Sequence, residues 1–178
     1  CEKPAVLKKA QAEELYSLAK ENNVVFMEAV KTAYCPGFHA MMAAAKSGKI
    51  GRIIDVEAAF SRLTPVNTRE YMAQDYNGSF LEFGSYVCMP VFELLGCDYD
   101  DVRFHSMRAV NGVDAYTKAV FSFGGKSAEV KTGLGVKTEG QLLISGTNGY
   151  ILAKSPWWLT KEFEIRYEDP NKKEVYKY

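Results

Sequence analysis

The sequence predicts an α+β fold: an open, mainly antiparallel sheet with helices on one face, preceded by the closing helix and strand of an α/β domain. Three observations predict it. A long helical pattern followed by a short apolar run opens the chain. Strand-like runs separated by tight Gly-containing turns fill its second half. Between them, near residues 32–36, the pattern changes, which divides the chain into 1–31 and 32–178. At 178 residues this is one domain or slightly more.

Each element follows in order. Val6, Leu7, Ala10, Leu15, Leu18 and Ala19 recur at three- to four-residue spacing within 4–22, the pattern of an amphipathic helix. Pro4 suits its first turn, where a missing N–H costs nothing. Val24-Val25-Phe26-Met27 is a continuous apolar run, as in a strand buried on both faces of a parallel sheet. Pro36-Gly37 punctuates the chain, and residues 38–47, rich in Ala and Met, predict a second helix ended by Gly48 and Gly51. Residues 52–61 alternate as a strand does, Ile54, Val56, Ala58 and Phe60 against Asp55, Glu57, Ala59 and Ser61. The polar stretch 62–78 is long for a loop, and such loops are functional or hide short elements. A third helix is expected over 80–95, kinked near Tyr86 by Pro90. Strands are expected near 101–110, 114–124, 127–134, 140–146, 149–154 and 157–168. Asn111-Gly112, Gly124-Gly125 and Asn148-Gly149 form the turns between several of them.

Composition excludes several functions. Lys+Arg and Asp+Glu are equal at 22 each, so no net charge draws the chain to nucleic acid or an anionic membrane. Apolar residues make up 47%, enough for a real core, which excludes disorder. No 18-residue apolar run predicts a membrane span. Cys1, Cys35, Cys88 and Cys97 lack CxxC spacing, and His39 and His105 complete no ligand set. Reduced thiols in a cytoplasmic protein, with no metal site, are therefore expected.

The sharpest local feature is Gly78-Ser79-Phe80-Leu81-Glu82-Phe83-Gly84-Ser85-Tyr86. On a helix Glu82 and Tyr86 share a face, and a carboxylate beside a phenol can transfer protons. Ser79-x-x-Glu82 is equally a capping box, and an apolar-rimmed Tyr is equally a core residue. Lys3, at a strand end before a helix, could lower the pKa of a nearby phenol, or be a solvated lysine. Lys31 and Tyr34 could line a crevice at the boundary. No GxGxxG occurs, and Gly133-x-Gly135 lacks the strand–turn–helix setting that motif needs.

Several of these segments, in this order and spacing, resemble one family. Glu2-Lys3-Pro4, Met27-Glu28-Ala29, Tyr34-x-Pro36, Ser47-Gly48-Lys49-Ile50-Gly51, the Gly78–Tyr86 segment and Gly146-Thr147-x-Gly149 are similar to the glucose–fructose oxidoreductase / inositol dehydrogenase / rhizopine-catabolism (Gfo/Idh/MocA) oxidoreductases. The resemblance implies that residues 1–31 are the last helix and strand of a Rossmann domain, and that 32–178 belong to the substrate-binding and oligomerisation domain. It implies NAD or NADP as cofactor, with Glu2, Lys3 and Pro4 at the cofactor and the Lys3–Pro4 bond cis. Lys3, Tyr86 and Glu82 become catalytic candidates, with Tyr86 exchanging a proton with the substrate oxygen and Lys3 stabilising the phenolate. Glu82 stands where the family usually has Asp, which favours the cap. Ala33 stands where relatives often have Arg, so Lys31 is the candidate substrate anchor.

The implied activity is hydride transfer between NAD(P) and a sugar, polyol or related hydroxy compound. A non-catalytic dinucleotide-binding regulator or scaffold, or an NAD-dependent glycoside-cleaving relative, is the alternative. Cys1 at the start reads as a cut through a longer protein, and the chain alone is expected to bind dinucleotide poorly and to catalyse nothing. A homodimer or homotetramer is expected through the open sheet face, with Phe121, Phe123, Leu134, Leu142, Ile144 and Trp158 as candidates for core or interface.

Overall fold

The computed structural model describes residues 1–73 and 76–178. Helices α1 (Lys9–Glu21), α2 (Pro36–Lys46), α3 (Arg69–Met72) and α4 (Ser79–Leu95) accompany eight strands. These are β1 (Ile53–Ser61), β2 (Asp101–Arg108), β3 (Asp114–Phe123), β4 (Lys126–Gly133), β5 (Leu142–Gly146), β6 (Gly149–Ala153), β7 (Glu162–Arg166) and β8 (Lys173–Lys177). They form one open sheet in the order β2-β3-β4-β1-β5-β6-β7-β8. β1 and β4 run parallel, from Asp55↔Ser127 to Ser61↔Gly133, and the other neighbours are antiparallel. This is the α+β class that the sequence predicts.

Side-chain alternation sends one set of each strand's residues into the core. Val56, Ala119, Phe121, Ala128, Val130, Leu142, Ile144 and Ile151 are buried there, together with Phe38, Met41 and Met42 of α2 and Val87 and Val91 of α4. Phe121, Phe123, Leu134, Leu142 and Ile144 are thus core residues. The uncovered face is not the bare apolar surface expected. On it Glu129 pairs with both Lys118 and Lys131, and Glu164 pairs with Arg166.

Two local expectations are corrected, the start of the first helix and the run at 157–168. Helix α1 starts after Lys8 rather than at Pro4. The run at 24–27 forms no ladder strand and is not buried: Val25 is 85% exposed. Among the described residues this run meets Tyr16, whose ring is edge-on to Phe26 at 5.2 Å, the Ala19 carbonyl, which accepts from the Val24 N–H at 2.9 Å, and Cys1. The Cys1 ammonium donates to the Met27 carbonyl, and the Ala29 N–H donates to the Cys1 carbonyl, the two bonds of one parallel bridge. The run expected at 157–168 splits into a 3₁₀ turn, Trp157–Leu159, and β7. The stretch 62–78 contains α3, and residues 74–75 within it lie outside the described residues. Helix α4 runs continuously past Pro90.

At the sheet's far edge β8 is fastened to the α2–β1 turn. Lys49 donates to Glu174 and to the Tyr176 hydroxyl (2.8 Å), while Tyr167 and Tyr176 donate to Glu174 at 2.7 and 2.6 Å. Hydrogen bonds from Lys49, Tyr176 and Tyr167 hold the Glu174 carboxyl down, at about 2. A carboxyl lowered on folding stabilises the fold above its unfolded value and loses that contribution as pH falls through the folded one. Between about pH 4.5 and 2 the parent chain should therefore lose stability that a Glu174→Gln variant has already lost. Urea midpoints that fall equally in both over that window would contradict this.

Candidate active site

Helix α4 carries the two central residues, and its start is set from elsewhere in the chain. The capping-box reading of Ser79 and Glu82 is overturned: neither side chain caps the first turn. Gly78 is the N-cap, at φ 98°, and Asp114 of β3 does the capping. Its Oδ2 accepts from the Phe80 N–H (3.0 Å), the Ser79 hydroxyl (2.7 Å) and the Thr117 hydroxyl (2.9 Å). Glycine suits position 78 twice over, since the left-handed φ is costly for other residues. A Cβ there would also lie 1.8 Å from Asp114 Oδ1.

With the cap supplied by Asp114, Glu82 is free to face the cleft. Its carboxylate lies 2.8 Å from Lys3 Nζ, both side chains being largely buried, and Lys3 also donates to the Glu82 carbonyl at 2.6 Å. Arg69 and Arg62 approach the same carboxylate at 3.5 and 3.9 Å. One turn on, Tyr86 is 8% exposed, with its ring edge-on to Phe60 at 5.2 Å. Lys3 Nζ sits 5.8 Å from the Tyr86 ring centre.

The Tyr86 phenol is pushed above its usual value, first by burial and then by the charges of Glu82, Glu2 and Glu28. This is opposite to the lowering expected from an adjacent ammonium. The reason is burial, which disfavours the phenolate, with three carboxylates adding to it.

Glu28 ties the first segment to this helix, accepting from the Ala5 N–H and the Ser85 hydroxyl, each at 3.1 Å. The structure thus gathers Lys3, Lys31, Glu82 and Tyr86 around one cleft of about 510 Å³. Glu2 and Pro4 flank Lys3 outside its lining, and the Lys3–Pro4 bond is cis. Sequence reasoning missed Arg62, Lys137 and Trp158 in the lining. Trp158 stacks on Phe60 at 3.7 Å, and Phe60 stacks on Phe83 at 4.3 Å, so three rings form the floor. The buried Thr32, next to Lys31, donates to the Trp158 carbonyl at 2.7 Å and fixes that end. Tyr34 is exposed and lies outside the lining.

Replacing Lys3 with Met leaves a largely buried carboxylate facing only the longer arginine contacts. Lys3→Met should destabilise the chain by roughly 1–3 kcal/mol. A urea midpoint equal to that of the parent chain would contradict it.

Residues 38–152 match the GFO/IDH/MocA C-terminal domain. The chain belongs to the GFO/IDH/MocA family. It is 29% identical over 179 residues to scyllo-inositol 2-dehydrogenase (NADP(+)) IolU of Bacillus subtilis, covering 95% of this chain and 53% of that protein. It is 26% identical to trans-1,2-dihydrobenzene-1,2-diol dehydrogenase of Bos taurus, covering 94% and 51%. The chain spans about half the length of the curated relatives it matches. Among solved structures, levoglucosan dehydrogenase in complex with NADH and levoglucosan superposes with a TM-score of 0.82 at 17% identity, over all of this chain and 54% of that one. KijD10, a 3-ketoreductase from Actinomadura kijaniata in complex with NADP and TDP-benzene, gives 0.81 at 21%, over 99% and 56%. These two likenesses show the GFO/IDH/MocA fold. Among the described residues no group of three His, Cys, Asp or Glu could hold a metal, and no helix is long and apolar enough to cross a membrane.

Proposed function

We propose that this chain supplies the substrate half of a cytoplasmic NAD(P)-dependent oxidoreductase acting on a sugar, polyol or related hydroxy compound. The observation that carries the reading is the largely buried Tyr86 in the same cleft as the paired Lys3 and Glu82. The relatives named above as dehydrogenases and a reductase support it. In this reading residues 1–31 close a dinucleotide-binding domain, and 32–178 form the substrate and oligomerisation domain, working as a homodimer or homotetramer.

The residues present fit the nicotinamide end of such a cofactor. An ammonium (Lys3) suited to ribose hydroxyls lies beside a phenol (Tyr86) suited to the reacting oxygen, at an open cleft. NAD(P) supplies hydride transfer when bound. Lys3, with Glu2 and Pro4 shaping its turn, would hold the ribose, while Glu82 holds Lys3. Tyr86 would donate its proton to a substrate carbonyl oxygen on reduction, or accept the hydroxyl proton on oxidation. Lys31 would anchor a substrate substituent.

The test is the near-ultraviolet absorbance of NADH and NADPH when the whole protein meets a panel of ketoses, polyols and cyclitols. Oxidation or reduction of one cofactor with a stoichiometric product supports the reading. Substrate consumed with no change in bulk cofactor would replace it with transient-cofactor cleavage.

A further inference from the structure

The cleft is unevenly charged, although the whole chain is neutral. Its lining carries Lys3, Lys31, Arg62 and Lys137 against one carboxylate, Glu82. Two of these cations are already answered. Lys3 is paired with Glu82 at 2.8 Å, and Arg62 lies 2.8 Å from Glu70. The other two are not. Lys137 Nζ donates to the Ser61 carbonyl at 3.0 Å, which places the ammonium without neutralising it. Among the described residues no carboxylate lies within ion-pair distance of Lys31 or Lys137.

Glu82, Glu2 and Glu28 are the carboxylates whose charge reaches Tyr86. The lining also holds Trp158, Phe60 and Phe83, stacked ring on ring, as an apolar wall beside these charges. An apolar wall with a few placed charges suits a ring that sets its apolar side against the wall and turns its substituents to the charges.

We infer that the substrate of this cleft is a hydroxylated ring bearing an anionic group, a carboxylate or a phosphate ester, anchored by Lys31 and Lys137 with its reacting carbon toward Tyr86. This deepens the oxidoreductase reading and rests on it for the place of reaction. The anion answers the two ammoniums that have no carboxylate partner among the described residues, and Lys137, held by a backbone carbonyl, loses little freedom on engaging it.

The test is calorimetry of the whole protein at low salt with glucose, glucuronate and glucose 6-phosphate. At least one anionic ring should bind about tenfold or more tightly than glucose, and its advantage should shrink as salt is raised. Lys31→Gln and Lys137→Gln should each cut that advantage roughly three- to tenfold. The uronate and phosphate arms tell which anion is taken. Glucose binding as tightly as both anions, or anion affinity indifferent to both lysine substitutions, overturns the inference. Cofactor absorbance separates it from the parent reading. Lysine-dependent anion binding with no hydride transfer to either cofactor defeats the oxidoreductase reading and keeps this one. Turnover of neutral rings that ignores both lysines does the reverse.

Discussion

Tyr86→Phe in the whole protein is expected to lower kcat by roughly 10²–10⁴-fold, the usual contribution of a positioned general acid or base. The substitution removes one hydroxyl from a ring that is already packed. The ring keeps its edge contact with Phe60. The urea midpoint should therefore stay within the small range of a packing-neutral change. Substrate affinity should change far less than kcat, because the proton moves only in the transition state. Near-normal turnover of a validated substrate, with the fold intact, would remove Tyr86 from the reaction.

Asp114→Ala should produce the largest loss of stability from a single polar side chain, roughly 2–4 kcal/mol. One carboxylate oxygen receives three hydrogen bonds at the start of α4. Charge-assisted bonds of this kind contribute more than neutral ones, and removing the acceptor strands buried donors. Ser79 is fully buried and would keep only its bond with Thr132, at 2.9 Å. An N-cap is also lost from the helix that carries Glu82 and Tyr86. In the whole protein, activity should fall together with the urea midpoint, because the helix start sets where both side chains sit. Asp114→Asn, which keeps an acceptor oxygen, should recover part of both. A midpoint unchanged in the alanine variant would show that α4 is held without its cap.

The same contacts mark what the sequence could and could not reveal. The hairpins were legible because their signals are local: Gly124-Gly125 and Asn148-Gly149 sit between alternating runs that pair with each other. Strand β8 was not, since Lys173–Lys177 is a charged, half-exposed edge whose structure depends on β7. The apolar run at 24–27 stands outside the sheet, because burial is a property of neighbours and not of the run itself. The capping box misled for a related reason. Its spacing is local, while the cap that wins, Asp114, comes from 35 residues away. Lys3 and Glu82 are 79 residues apart, and only the family resemblance put them in one site. Arg62 and Lys137 had no motif to draw attention to them. The signal available was the long polar stretch after residue 61.

The parallel pairing of β1 with β4 also governs when that cleft comes into being. Their carboxyl ends, Ser61 and Gly133, lie side by side, so the chain leaving each brings Arg62 and Lys137 to one rim. The β3–β4 hairpin closes over a two-residue turn, from Phe123 to Lys126, whereas Asp55 must find Ser127 across 72 residues. Closure entropy rises with that separation, and such distant pairings are slow. A chain with its hairpins formed and β1 still unplaced would show most of the strand signal and no anion site. Ligand capture is therefore a stricter measure of completed folding in this protein than circular dichroism.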